Sequence, residues 1–134
     1  MFLLDTNVFS DAHKGVPEPS RWLAASDPLT VFVSVITLGE IERGIEMIRR
    51  TNMPKAHRLE AWLAALRHDC SDRILPVTED VAICWGRLMA GRTRGDADAL
   101  IAATAIIHKL TVVTRNVPDF ADTGVPVVNP WTAL

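Results

Sequence analysis

The sequence predicts an α/β domain, a mostly parallel central sheet of about five strands with helices on both faces. Two observations carry this. Short apolar runs at Phe2–Leu4, Thr30–Ser34, Ile74–Val77, Thr111–Thr114 and Val125–Val128 suit buried strands, and they alternate with longer stretches of helical periodicity. Length is the second: 134 residues can bury about two-thirds of their unfolded surface, enough for one core and too few for two. With no internal repeat, low-complexity tract or linker, residues 1–134 are expected to form one domain.

Taken in order, Phe2-Leu3-Leu4 opens into Asp5-Thr6-Asn7, a strand running into a turn and helix cap. The stretch Gly15–Pro19 is expected to separate a first turn of helix from a short second helix near Ser20–Ala25. A long helix follows the second strand, over Val35–Arg50, with Leu38, Ile41, Ile45 and Ile48 at helical spacing. Thr51–Pro54 breaks it, and Lys55–His68 forms the other arm of a helical hairpin, carrying Leu59, Trp62, Leu63 and Leu66 on one face. Thr78 suits an N-cap, with Glu79 and Asp80 in the first turn of a helix that ends near Gly91. Gly95-Asp96 begins a last helix that is apolar almost all round and therefore buried.

Composition narrows the class. Hydrophobic residues make up 49% and charged residues 22%, which indicates a globular chain rather than a disordered one. The net charge of −2 does not advertise a nucleic-acid binder, although carboxylates holding a divalent ion would reverse the sign locally. Cys70 and Cys84 form neither a metal-spaced pair nor a disulfide framework. Only three apolar residues separate Met1 from Asp5, and the stretch Ala97–Ile107 is too short to span a bilayer, so a soluble cytoplasmic protein away from membranes is expected.

The acids carry the chemistry. In open parallel sheets, sites form beyond the carboxyl ends of strands, which is where Asp5 stands. Asp5 is either a helix cap or part of a site, and the strand Thr111–Thr114, ending in Arg115, Asn116 and Asp119, would bring company if the two strands are neighbours. Asp98 lies in the first turn of the buried helix, where an acid complements the helix dipole, but the apolar residues after it leave almost no solvent face. Asp96 is the expected cap there. Glu40, in the long helix, has an exposed pairing with Arg43 as its plain alternative, and Gly44 one turn on suits the close approach of another backbone or a substrate. Acids gathered at one sheet end repel one another unless a hard divalent cation joins them, and such a site suits phosphodiester hydrolysis by a metal-activated water. No Ser, Cys or His nucleophile with a partner is visible.

These motifs resemble those of the PIN-domain family. Leu3-Leu4-Asp5-Thr6-Asn7-Val8 is similar to its opening motif, Val35–Gly44 with Glu40 to its second, Ala97–Ala105 with Asp98 to its third, and Leu110–Phe120 to its fourth. They occur in family order over nearly the whole chain, and Asn129-Pro130-Trp131 resembles the tail of some members. The nearest resemblance is to VapC- and FitB-like toxins of bacterial toxin–antitoxin pairs. It implies a three-layer α/β/α sandwich and a Mg²⁺- or Mn²⁺-dependent endoribonuclease cutting RNA. It also implies a homodimer and an inhibitory VapB-like antitoxin in the active-site groove.

Carried over residue by residue, Asp5, Glu40 and Asp98 would be metal ligands. The fourth acid departs from the pattern, since Asn116 stands where some relatives have Asp, and Asp119 is the alternative catalytic acid. Thr6, Asn116 and Thr114 would orient ligands from behind. Antitoxin docking would use an apolar groove near the helical hairpin, including Trp62 and Leu66 unless these pack in the core, and Arg43, Arg92, Arg94 and Arg115 are candidate phosphate contacts. Two other classes stay open: a PIN-like module that binds RNA without cutting it, and a receiver-like signalling domain. The second lacks an acidic neighbour for Asp5.

Overall fold

The structure is a computed structural model and describes residues 1–132. Five parallel strands, β1 (Phe2–Leu4), β2 (Val31–Ser34), β3 (Ile74–Leu75), β4 (Thr111–Val113) and β5 (Val127–Val128), lie in the order β3-β2-β1-β4-β5. Six helices pack on them: α1 (Thr6–His13), α2 (Pro17–Ala25), α3 (Val35–Arg49), α4 (Met53–Asp69), α5 (Glu79–Met89) and α6 (Asp96–His108). Short 3-10 turns cover Pro28–Thr30 and Val117–Phe120.

Strand alternation creates the three layers. Leu3 and Val112 face one way, joining Ile101, Ala102, Ala105 and Phe120 beneath α6. Leu4 and Val113 face the other way, against Val8, Phe9 and Cys70. Ile41, Ile45, Ala56 and Leu63 close the α3–α4 hairpin. Because β1 pairs with β2 on one side and β4 on the other, in register Leu4 to Val113, the sheet reverses its winding direction between β1 and β4. That reversal leaves a crevice at the carboxyl ends of these two strands.

Several boundaries differ from the sequence expectation, chiefly through proline. Pro17 starts α2 rather than preceding it, and Pro54 lies inside the first turn of α4, which Asn52 caps through Lys55 N–H. Proline is tolerated at these positions because the first helical N–H groups have no intrahelical acceptor. The first helix likewise runs two full turns, to His13. The outer strands β3 and β5 shorten to two residues each, since an edge strand is paired on one side only. Thr78 caps α5 as expected, its hydroxyl accepting from Val81 N–H. Asp96 does not cap α6: Gly95 occupies the cap position without a side-chain bond, and Asp96 is the exposed first residue of the helix.

Sequence patterning gave no hint of Arg73. Its buried guanidinium donates to the Val31 carbonyl (3.1 Å) and the Asp69 carbonyl (3.0 Å), tying the end of α4 to β2, and pairs with Asp72. Replacing Arg73 with Leu removes both donations and is expected to cost about 1–3 kcal/mol. Urea unfolding would show this as a lower midpoint; an unchanged midpoint would contradict it.

Candidate active site

Asp5 continues β1 into the crevice, its N–H donating to the Val113 carbonyl at 2.9 Å. Its side chain serves as the cap of α1 and more besides. Oδ1 accepts from Thr6 N–H (2.8 Å), while Oδ2 accepts from Thr114 Oγ1 (2.8 Å) and Asn7 Nδ2 (3.1 Å). Only 4% of Asp5 is exposed, and no ion pair among the described residues involves it. Burial raises its pKa above the ordinary 3.8, opposed by the bonds from Thr114 and Thr6. A buried carboxylate so furnished with donors is fixed in direction, yet its charge has no counter-ion.

Glu40 comes to the same place from α3. Its Oε1 accepts a 2.6 Å hydrogen bond from Thr6 Oγ1, so Thr6 joins α1 to the acid instead of leaving Glu40 to pair with Arg43. The Thr6 hydroxyl also lies 3.4 Å from that of buried Thr37. Asp98, in the first turn of α6, is pushed up to about 6 by burial first, then by the charges of Asp5, Asp119 and Glu40. Asp98 thus lies within electrostatic reach of Asp5, Asp119 and Glu40, and Asp5 within reach of Glu40. Of the two candidates for the fourth acid, Asp119 shares a cavity of about 380 Å³ with Asp98, bordered by Arg92, Arg94 and Gly95. Asn116 takes part through its backbone, its N–H donating to Thr114 Oγ1 at 3.0 Å.

Asn7 and Thr37 were not singled out from the sequence. Asn7 braces three partners, donating to Asp5 Oδ2 and to Thr114 Oγ1 (3.3 Å) and accepting from Arg115 N–H (3.2 Å). The signal was its position two residues after Asp5, at a strand-to-helix turn where amide side chains favour local bonds. Arg115 lies over the Trp131 ring, 5.4 Å from its centroid, and Arg43 is exposed on α3.

A second depression, a groove of about 600 Å³, runs from Thr6 and Glu40 between α1 and the hairpin. Trp62 lines it, stacked on His13 with 4.3 Å between centroids, whereas Leu66 packs in the core. Gly44 also lines the groove, and a Cβ there would meet nothing within 4 Å, so this chain's own backbone makes no close approach to it.

The donor set fits a hard divalent ion: all-oxygen ligands, clustered negative charge and no paired cation. Among the described residues no three acidic, His or Cys side chains are gathered into a ready-made cage.

Asp98 offers a check on this charge balance. Between the ordinary 3.8 and about 6 the folded chain binds more protons than the unfolded, so the ionised carboxylate lowers stability at neutral pH. Partial exposure screens the effect to about 1 kcal/mol. In chelator at pH 7.5, Asp98→Asn is expected to raise Tm by about 3–5 °C, with a smaller gain at pH 5. No gain, or an equal gain at both pH values, would contradict the crowding of the acids.

Known proteins share this fold. The PIN domain family model matches residues 2–125. The chain is 36% identical to "VapC ribonuclease Y4jK" of Sinorhizobium fredii, over 98% of each chain. The crystal structure of FitAcB from Neisseria gonorrhoeae superposes with a TM-score of 0.91 at 34% identity, covering 99% of this chain and 100% of the other. A toxin–antitoxin complex from Klebsiella pneumoniae gives 0.75 at 32% identity, covering 97% and 98%. With the family model spanning most of its length and these relatives matching from end to end, the chain belongs to the PIN-domain family.

Proposed function

We propose that this chain is a divalent-metal-dependent endoribonuclease that hydrolyses RNA phosphodiester bonds, working as a single domain over residues 1–134. The observation that carries the reading is the electrostatic proximity of Asp5, Glu40 and Asp119, each from a different chain segment, to Asp98, with no cation paired to any of the four among the described residues. The ribonuclease name of the Sinorhizobium relative supports the substrate class. Family membership sets aside the receiver-like alternative.

Asp5, Glu40 and Asp98 would hold Mg²⁺ or Mn²⁺, with Asp119 as the fourth carboxylate. When bound, the ion supplies Lewis-acid polarisation of the phosphodiester and a lowered pKa for water. The chain's own contribution is positioning. Thr114, Asn7 and Thr6 N–H hold the Asp5 carboxylate in one orientation, and the Thr6 hydroxyl does the same for Glu40. Asp98 must shed its proton to act as a ligand, which occurs as pH rises through about 6.

The toxin role follows from the same relatives, one of them solved as a toxin–antitoxin complex. In this reading the chain acts in the cytoplasm as a homodimer and is inhibited by a cognate VapB-like antitoxin. The antitoxin lies in the Trp62 groove, which reaches Thr6 and Glu40 and has a largely apolar floor in Ile41, Ile45 and Leu59. A peptide seated there would run directly to Glu40.

Cleavage of a mixed RNA pool with Mg²⁺ or Mn²⁺ tests the activity. Asp5→Asn and Asp98→Asn are each expected to lower the rate by about 100-fold or more, and EDTA to abolish it. A wild type that binds metal and RNA yet cuts nothing would install the binding-only module instead. Cutting that survives both substitutions would overturn the site.

A further inference from the structure

The segment between α5 and α6 brings two arginines to the cavity beside Asp98 and Asp119, and their circumstances differ. Arg92 is engaged: its Nη1 donates to Asp122 Oδ2 at 3.0 Å and ties this loop to the segment after the second 3-10 turn. Arg94 is not. Its Nε and Nη1 are shielded from solvent and have no hydrogen-bond partner among the described residues. No ion pair among those residues involves it, although Asp98 and Asp119 line the same cavity.

A charged donor withdrawn from water without an acceptor is costly, and a guanidinium fork is matched by a planar or tetrahedral oxyanion. The missing partner is therefore anionic, and the cavity has room for it at about 380 Å³. The carboxylates already there do not close on Arg94. Neither Asp98 nor Asp119 pairs with either arginine of the cavity among the described residues. The cavity thus carries two acids and, in Arg94, a guanidinium whose shielded donors call for an anion.

We infer that Arg94 holds a backbone phosphate of the RNA in this cavity, beside the acids, and so sets the strand's register against them. This rests on the ribonuclease reading for the identity of the anion. Arg92, committed to Asp122, holds the loop that presents Arg94.

The test is binding of a fluorescently labelled, mixed-sequence 20-nucleotide RNA (about that length) in EDTA, followed by anisotropy over a range of salt. Arg94→Gln is expected to weaken binding about tenfold and to reduce the slope of log K against log salt by about 0.7, the value for one lost phosphate contact on a single strand. Arg94→Lys should keep the slope, because the charge remains, while recovering only part of the affinity. Affinity and slope equal to wild type in Arg94→Gln would overturn the assignment, as would a lowered Tm with an unchanged slope, which marks a structural arginine. Should Arg94→Gln not fold, an affinity of Arg94→Lys equal to that of wild type would overturn it as well. Because no metal is present, these outcomes are independent of cutting: failure here leaves the metal-dependent activity intact, and failure to cleave with Mg²⁺ leaves the binding result standing.

Discussion

The buried carboxylate of Asp5 is the point on which the remaining site geometry turns. It stands where β1 and β4 end side by side, and it draws two donors from α1, Thr6 N–H and Asn7 Nδ2, and one from the strand-end Thr114. Those bonds link segments 109 residues apart in the case of Thr114 and Asp5. Three donors hold the carboxylate without neutralising it. A buried negative charge in that condition is favourable only if something positive completes it. The parallel strand order makes the arrangement possible, since only neighbours at the sheet's reversal point can share such a residue.

Stability is given up for this. Asp98 is pushed toward its protonated form by burial and by three neighbouring acids, and Nε and Nη1 of Arg94, which lines the same cavity, are shielded without an acceptor among the described residues. Neither feature helps the isolated chain fold. Both become favourable together when a cation meets the acids and an anion meets the arginine, as a metal ion and a phosphodiester would. The apolar layers, with Leu3, Leu4, Ile101 and Val113 fully buried, supply the stability against which these costs are set.

Much of this was legible in the sequence because it was local. The five strand runs, the α3–α4 hairpin and the Thr78 cap all rest on periodicity or on a residue's preference within one turn. The helix starts at Pro17 and Met53 were not, because proline marks a break and a helix's first turn equally well. Within the site, the acids were visible as types at strand and helix ends. Their partners were not: Thr6 with Glu40 lies 34 residues apart, and that contact depends on how α1 crosses α3. Arg94 resembled any loop arginine until the fold shielded its Nε and Nη1 with no hydrogen-bond partner among the described residues. That Asp119 shares a cavity wall with Asp98 was likewise invisible in the sequence.

Mn²⁺ binding followed by titration calorimetry at pH 7.5, wild type against Asp5→Asn, tests the central claim most directly. If the acids at the β1–β4 crevice form a metal site organised by Asp5, wild type binds Mn²⁺ and the variant, still folded, binds about tenfold or more weakly. Identical isotherms for the two proteins, or no Mn²⁺ binding by wild type, would contradict it.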